Sequence, residues 1–307
     1  MRFLPSSCIL ILLVLAASVP AEPLIAPECE VLELTEERMP DQSVYGKGLL
    51  WRVSKKESVP SYVFGTIHVA DESITELPAQ VVDALNRSRL FAMEVLPDPA
   101  ASNSYARLMY FADGRKLIGL VSGQLFDEIV RLMGAYHLPK VAVVSLKPWA
   151  AFLIMSYPNE SGQILDMRLL ELARQNGADV RGLETLREQV DIFDTMTLDK
   201  QLQLLSDTAC HHELIEADFE LMKSLYLARD LAGLYSYGQR ISNSDDELYN
   251  ELTQKLLIDR NYTMVERMEK LLQSGNAFIA IGAMHLVGEE GILALLEIND
   301  YKISRVY

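Results

Sequence analysis

Two of the five histidines in this sequence occupy the same local setting. Ser61-Tyr62-Val63-Phe64 runs into Gly65-Thr66-Ile67-His68, and Ala277-Phe278-Ile279-Ala280-Ile281 runs into Gly282-Ala283-Met284-His285. In each case an apolar, β-prone run ends in Gly-x-x-His. Glycine lets the backbone turn or be approached closely, and the imidazole three residues later emerges near the end of the strand. In open parallel sheets, that carboxyl edge is where ligands bind. A single strand-end histidine is more often a hydrogen-bonded structural residue, whereas a matched pair is what one shared site requires.

Carboxylates in comparable positions extend the set. Glu94 interrupts the apolar run Phe91-Ala92-Met93-Glu94-Val95, and glutamate is seldom buried without a partner. If its strand lies parallel to and beside the first motif, Glu94 faces His68; on an exposed edge strand it would be unremarkable. Val180-Arg181-Gly182-Leu183-Glu184 repeats the logic with Glu184. Two imidazoles with one or two carboxylates suit a divalent ion (Zn, Mn or Co) that keeps a position open for water. His68 and His285 with Glu94, Glu184 or both would supply the ligands, and a remaining carboxylate could act as general base or orient a histidine. Arg260 and Asn261 interrupt the helical stretch Leu256–Tyr262, and an arginine there could stabilise an oxyanion or simply pair with Asp259 at the surface. Cys210-His211-His212-Glu213 is more conspicuous, but adjacent helical residues point about 100° apart, so its two imidazoles would not readily share an ion. His137 has no supporting partners and reads as a helix-end or loop residue.

These side chains need a scaffold. Strands are expected at 49–53, 61–64, 90–95, 180–183, 277–281 and 303–307, with a reversal across the polar stretch 54–58. Helical patterns lie between them. Val81 and Leu85 share a face of a helix in which Pro78 suits a first-turn position, and Leu125, Ile129, Leu132 and Met133 follow one stripe, as do Leu165, Leu169, Leu172 and Ala173. Strand and helix alternate at both ends of the chain. The expected class is therefore α/β, a mainly parallel sheet with helices on both faces. Residues 100–176 and 184–273 are mostly helical and read as a large insertion into a single domain spanning 48–307.

Composition narrows the setting. Arg2, an apolar run from Cys8 to Leu15 and Val19-Pro20-Ala21 read as an export signal cut after Ala21; the run is far shorter than the ~20 residues of a bilayer span. The protein is then expected to be exported, periplasmic or extracellular, with an N-terminal arm over 22–47 and no membrane span after cleavage. Loss of Arg2 takes the net charge from −15 to −16, which argues against nucleic-acid binding. Cys29 and Cys210 survive cleavage and could form a disulfide or stay unpaired. Two cysteines do not make a zinc ribbon, so any metal must rely on His, Asp or Glu.

Taken in order, Gly65-Thr66-Ile67-His68-Val69-Ala70-Asp71, Met93-Glu94, Leu146-Lys147-Pro148-Trp149, Gly182-Leu183-Glu184-Thr185, Asp259-Arg260-Asn261 and Gly282-Ala283-Met284-His285-Leu286-Val287-Gly288 resemble the TraB/PrgY/GumN family, which includes the Tiki proteases. The resemblance covers about residues 48–307. It implies a fold shared with erythromycin esterase and ChaN-like proteins. It also implies a metal-dependent peptidase-like activity on peptide or protein substrates, with His68, Glu94 and His285 at the site. The same family resemblance is compatible with a pocket that binds a peptide signal, a metal or a haem-like ligand without turnover, and, on family naming alone, with a polysaccharide-export accessory. One departure is local: Asn299-Asp300-Tyr301 stands where relatives usually carry a glycine, and Asn tolerates the left-handed conformation.

Overall fold

The computed structural model describes residues 45–56, 58–159, 162–242 and 247–307. Residues 1–44, which hold the expected leader, most of the arm and Cys29, lie outside the described residues. Cys210 is disulfide-bonded. No helix among the described residues is long and apolar enough to cross a membrane.

Six strands form one sheet: β1 (Leu50–Ser54), β2 (Ser61–Thr66), β3 (Leu90–Val95), β4 (Asp179–Glu184), β5 (Ala277–Gly282) and β6 (Lys302–Arg305). Their spatial order is β4-β3-β5-β2-β1-β6. The four strands from β4 to β2 run parallel, while β1 pairs antiparallel with both β2 and β6. The fold is α/β with a mixed, mostly parallel sheet. The sheet's antiparallel side follows from the short polar connection between β1 and β2, since a parallel pairing would need a long crossover.

The central position of β5 accounts for its composition. Ala277, Phe278, Ile279, Ala280 and Ile281 are all fully buried. A strand covered by helices on both faces has no polar side, hence a continuous apolar run. Phe278 packs between Phe64 and Phe91, at ring-centroid distances of 6.0 and 6.2 Å. A second apolar cluster is built by helices Gly123–Ala135, Pro148–Met155 and Leu198–Cys210 around Phe126, Met133 and Trp149. The stripe Leu125, Ile129, Leu132 and Met133 faces this cluster; Leu165, Leu169 and Ala173 face the sheet.

Three local expectations are corrected. Pro78 is the cap of helix Ala79–Arg87, outside its first turn. The left-handed residue before β6 is Asp300 (φ 65°), while Asn299 closes the preceding helix. Arg260 and Asn261 do not interrupt a helix but begin one, Asp259–Gln273; the irregularity is the π-helical turn Gln254–Ile258 just before them. Such turns shift the register of the side chains that follow, and they are frequent at functional sites.

Candidate functional site

Parallel pairing sets the two Gly-x-x-His motifs side by side. Gly65 lies opposite Ile281 and Thr66 opposite Gly282, so His68 and His285 leave the same edge of the sheet. On the other side of β5, Met93 lies opposite Ala280, and Val95 lies opposite Glu184 of β4. The edge therefore reads Glu184, Glu94, His285, His68. This corrects one expectation: β5 separates β3 from β2, and Glu94 is the neighbour of His285 first.

Both glycines are closely approached by neighbouring groups. A Cβ on Gly65 would stand 2.9 Å from Leu286 Cδ1 and 3.1 Å from Ala283 Cα, where the turn carrying His285 crosses β2. A Cβ on Gly282 would stand 3.1 Å from Glu94 Oε1 and 3.3 Å from His285 Cδ2. The Gly282 N–H instead donates to Glu94 Oε1 at 2.7 Å.

Each histidine has one ring nitrogen fixed from behind. Asn261 is buried, and its amide Nδ2 donates to the Glu290 carbonyl at 2.8 Å. That bond fixes the amide orientation and turns Oδ1 toward His285 Nδ1, 2.6 Å away. Oδ1 can only accept, so His285 carries its proton on Nδ1 and leaves the Nε2 lone pair free. Burial and the charge of Arg260 outweigh the pull of Glu94 and lower the His285 pKa to about 4, so the ring is neutral at physiological pH. His68 Nδ1 lies 2.8 Å from Asp166 Oδ2, and Asp166 Oδ1 accepts from Thr66 Oγ1 at 2.9 Å. Burial opposes a charge on His68, but the hydrogen bond and charge of Asp166, with Glu94 beyond, raise its pKa to about 9. Its side chain is 43 % exposed.

The carboxylates are held by one cation. Arg260 Nη2 donates to Glu94 Oε2 at 2.5 Å and to Glu184 Oε2 at 2.8 Å. Its Nε is shared between both Glu184 oxygens at 3.1 Å, and Nη1 donates to the Leu256 carbonyl at 3.0 Å. Gln189 Nε2 bridges Glu94 and Glu184 at 3.3 and 3.1 Å. Burial works against ionisation of Glu94, but the positive charges of His285 when protonated and of Arg260, with the Gly282 N–H, hold its pKa well below the usual range.

All six expected residues thus converge on one sheet edge. Asp166 and Gln189 belong with them and were not anticipated. Asp166 sits in the first turn of helix Leu165–Gln175, where an acidic residue is ordinarily explained by the helix dipole alone. The Cys210-His211-His212 stretch is elsewhere: His211 Nδ1 donates to the Asp207 carbonyl at 2.9 Å, and His212 Nε2 lies 3.1 Å from Tyr136 Oη. His137, just past helix Gly123–Ala135, is left-handed at φ 60°.

The donor set suits a borderline divalent ion at two imidazoles and one carboxylate. His285 Nε2 and Glu94 Oε1 stand 3.9 Å apart, slightly wider than the ~3.4 Å between two ligands on a tetrahedral ion with ~2.1 Å bonds. Among the described residues, no group of three or more His, Cys, Asp or Glu side chains is placed so that it could hold a metal ion.

The chain is similar to known proteins over most of its length. The chain is 25 % identical to a protein named metalloprotease TIKI homolog from Amphimedon queenslandica, over 84 % of its own length and 61 % of that protein's. It is 22 % identical to metalloprotease TIKI2 of Danio rerio, over 83 % and 60 %, and to that of Xenopus tropicalis, over 83 % and 59 %. It therefore spans about three fifths of the length of these relatives. No solved structure matches the chain. The model of the TraB/PrgY/gumN family matches residues 49–305, nearly the whole described fold including every residue of the sheet-edge site, and the chain belongs to that family.

Proposed function

We propose that this protein is a metal-dependent hydrolase, exported from the cell, that acts on peptides or proteins. The observation that carries the reading is the paired fixing of the histidines. Asp166 behind His68 and Asn261 behind His285 each occupy Nδ1; the Nε2 lone pair of His285 is free, and that of His68 becomes available when an ion displaces its second proton. Outer partners of this kind are typical of metal-ligating histidines. His68, His285 and Glu94 would hold the ion. A divalent ion bound there polarises a carbonyl oxygen and lowers the pKa of a water.

The chain's own groups divide the remaining work. Asn261 fixes the His285 tautomer, and Asp166 orients His68. Arg260 keeps Glu94 ionised and turned toward the edge. Glu184, only 4 % exposed and bonded through both oxygens to Arg260, acts through that arginine in this reading instead of carrying protons itself. A binding pocket without turnover is the second reading; it draws on the Arg260 bond that engages Glu94 Oε2 in the metal-free arrangement.

The test is to purify the protein with and without His68→Ala and His285→Ala, measure bound metal, and measure metal-supplemented cleavage of a peptide library. Expected are about one bound ion per chain in the wild type, loss of that ion in each variant, and cleavage only by the wild type. A wild type that binds no divalent ion, with variants that leave any cleavage unchanged, defeats the proposal. Metal binding without cleavage selects the second reading.

A further inference from the structure

A cleft of about 340 Å³ lies apart from the sheet edge, and none of the residues that meet at that edge lines it. Its volume falls within the range of small-molecule sites, about 300–1,000 Å³. Three cations from three separate stretches line it: Arg107 near the end of helix Pro99–Leu108, Arg115 in the loop that follows, and Lys147 just ahead of helix Pro148–Met155. Phe111 adds an aromatic wall. Such a gathering runs against the balance of a chain with 43 acidic and 28 basic residues.

The cleft is held in shape from behind. The Lys147 N–H donates to the Met109 carbonyl at 2.8 Å, the Phe111 N–H to the Ser145 carbonyl at 3.0 Å and the Leu117 N–H to the Val144 carbonyl at 2.8 Å, so the loop that carries Arg115 is fastened to the stretch 144–147 on both sides. Lys147 Nζ donates to Asp194 Oδ1 at 2.6 Å, and the same oxygen accepts from the buried indole N–H of Trp149 at 2.8 Å. Only 20 % of the Lys147 side chain is exposed, so its charge is set in place at the cleft. Arg115 lies over the Phe111 ring, 4.7 Å from its centroid, and its Nε donates to Asp113 Oδ2 at 2.7 Å. Arg107 has no ion pair or side-chain hydrogen bond with any described residue. Three cations thus face two carboxylates, Asp113 and Asp194, and one positive charge is left over.

We propose that this cleft is a second binding site, for a carboxylate, with Arg107 as its main anchor and Arg115 and Lys147 completing the positive wall. A guanidinium offers two parallel N–H donors that match the two oxygens of a carboxylate. The surplus of one charge fits a monoanion; a phosphate dianion would need Asp113 to leave Arg115. Two sources carry this chemistry: an acidic residue or C-terminus of a peptide, and a free organic acid. The site does not depend on the hydrolase reading, but one helix touches both places. In Leu186–Asp194, Gln189 bonds Glu94 and Glu184 at the sheet edge, and Asp194, about 7.5 Å farther along the axis, backs Lys147.

The test uses the full chain in EDTA with isotope-labelled arginine, and follows the side-chain Nε–H signals of Arg107 and Arg115 by NMR. Four probes are titrated: an N-acetylated alanine pentapeptide amide with one central aspartate, its asparagine counterpart, propionate, and inorganic phosphate. Expected is a saturable shift of both signals by the aspartate peptide, propionate or both below about 10 mM, at about 0.05 M salt, and none by the asparagine peptide. Arg107→Gln, whose native side chain holds no other described residue in place, should weaken that binding about ten-fold or more at an unchanged thermal midpoint. Arg174→Gln removes an exposed charge from helix Leu165–Gln175 and should change it by less than about two-fold. Tighter binding of the peptide than of propionate assigns the peptide source, and the reverse assigns a free acid; both uphold the carboxylate site. No saturable shift by either carboxylate, equal binding of the asparagine peptide, phosphate binding tighter than both carboxylates, or Arg107→Gln within about two-fold of wild type overturns it. Neither metal nor cleavage enters these readouts, so a failure of the hydrolase reading and a failure of this site are told apart.

Discussion

Replacing Arg260 with methionine is the sharpest probe of how the sheet edge is held together. Methionine fills the volume of the aliphatic stem but leaves Glu94 and Glu184, 11 % and 4 % exposed, facing each other with Gln189 as their only shared donor. Removing one partner of a buried ion pair costs about 3–5 kcal/mol. There is a ceiling here, because the protein can instead take up one proton between the two carboxyls. At pH 7 that step costs about 3.7 kcal/mol for a carboxyl of ordinary pKa ~4.3, at 1.36 kcal/mol per pH unit. The expected loss at pH 7 in the metal-free protein is therefore about 3–4 kcal/mol. With a urea slope of about 2–3 kcal/mol/M, the unfolding midpoint should drop by about 1–2 M, read by circular dichroism in EDTA. The pH dependence carries the diagnosis. In the variant the folded state holds a proton that the unfolded chain lacks above pH ~4.3, so the deficit against wild type should shrink by up to ~1.4 kcal/mol for each pH unit between 7 and 5. Adding Glu184→Gln should recover much of it at pH 7. A midpoint drop below about 0.3 M at pH 7, or a deficit equal at pH 7 and pH 5, would refute the reasoning.

Asn261→Ala and Asp166→Ala, each of which frees a histidine Nδ1, should weaken divalent-metal affinity about 10–100-fold with both histidines still present, measured by competition against a fluorescent chelator. Phe278→Ala empties the space between Phe64 and Phe91 and should cost about 3–5 kcal/mol in chemical unfolding; a loss below about 1 kcal/mol would mean that β5 is not clamped as described. Asp71 is held at a pKa of about 2 by its hydrogen bonds from Ser73 and Lys223. Its folded pKa is depressed, so its stabilisation is complete above the ordinary value near 4 and disappears as pH falls toward 2. Asp71→Asn should consequently lose about 1 kcal/mol at pH 7 and nothing at pH 2, by thermal unfolding at the two pH values.

Much of this site could be read from the sequence because two signals were doubled. Gly-x-x-His occurs twice after β-prone runs, and a glutamate breaks or ends two further strands, so parallel pairing sufficed to bring them to one edge. The strand order could not be read. Nothing local in Ala277–Gly282 says that it enters between β2 and β3, and the assumption that Glu94 lies beside the first histidine failed for that reason. Asp166 escaped notice because an acidic residue in a helix's first turn already has an explanation. The π-helical turn before Arg260 escaped because Gln254–Ile258 has ordinary helical composition, and its register is a product of packing.

The central place of β5 has a consequence for how the protein is made. Residues 277–282 come after β1 to β4 in the sequence, yet they join β1 and β2 to β3 and β4, and they lead directly to His285. Until that stretch has been synthesised, the pairings that join β2 to β3 through β5 cannot form. Assembly then depends on contacts between residues more than 180 positions apart, such as Leu90 with Ala277 and Tyr62 with Phe278, which is a slow kind of closure. The side chains of the sheet-edge site can therefore meet only late in synthesis, once β5 and the turn that carries His285 have emerged, with the last helix and β6 still to follow.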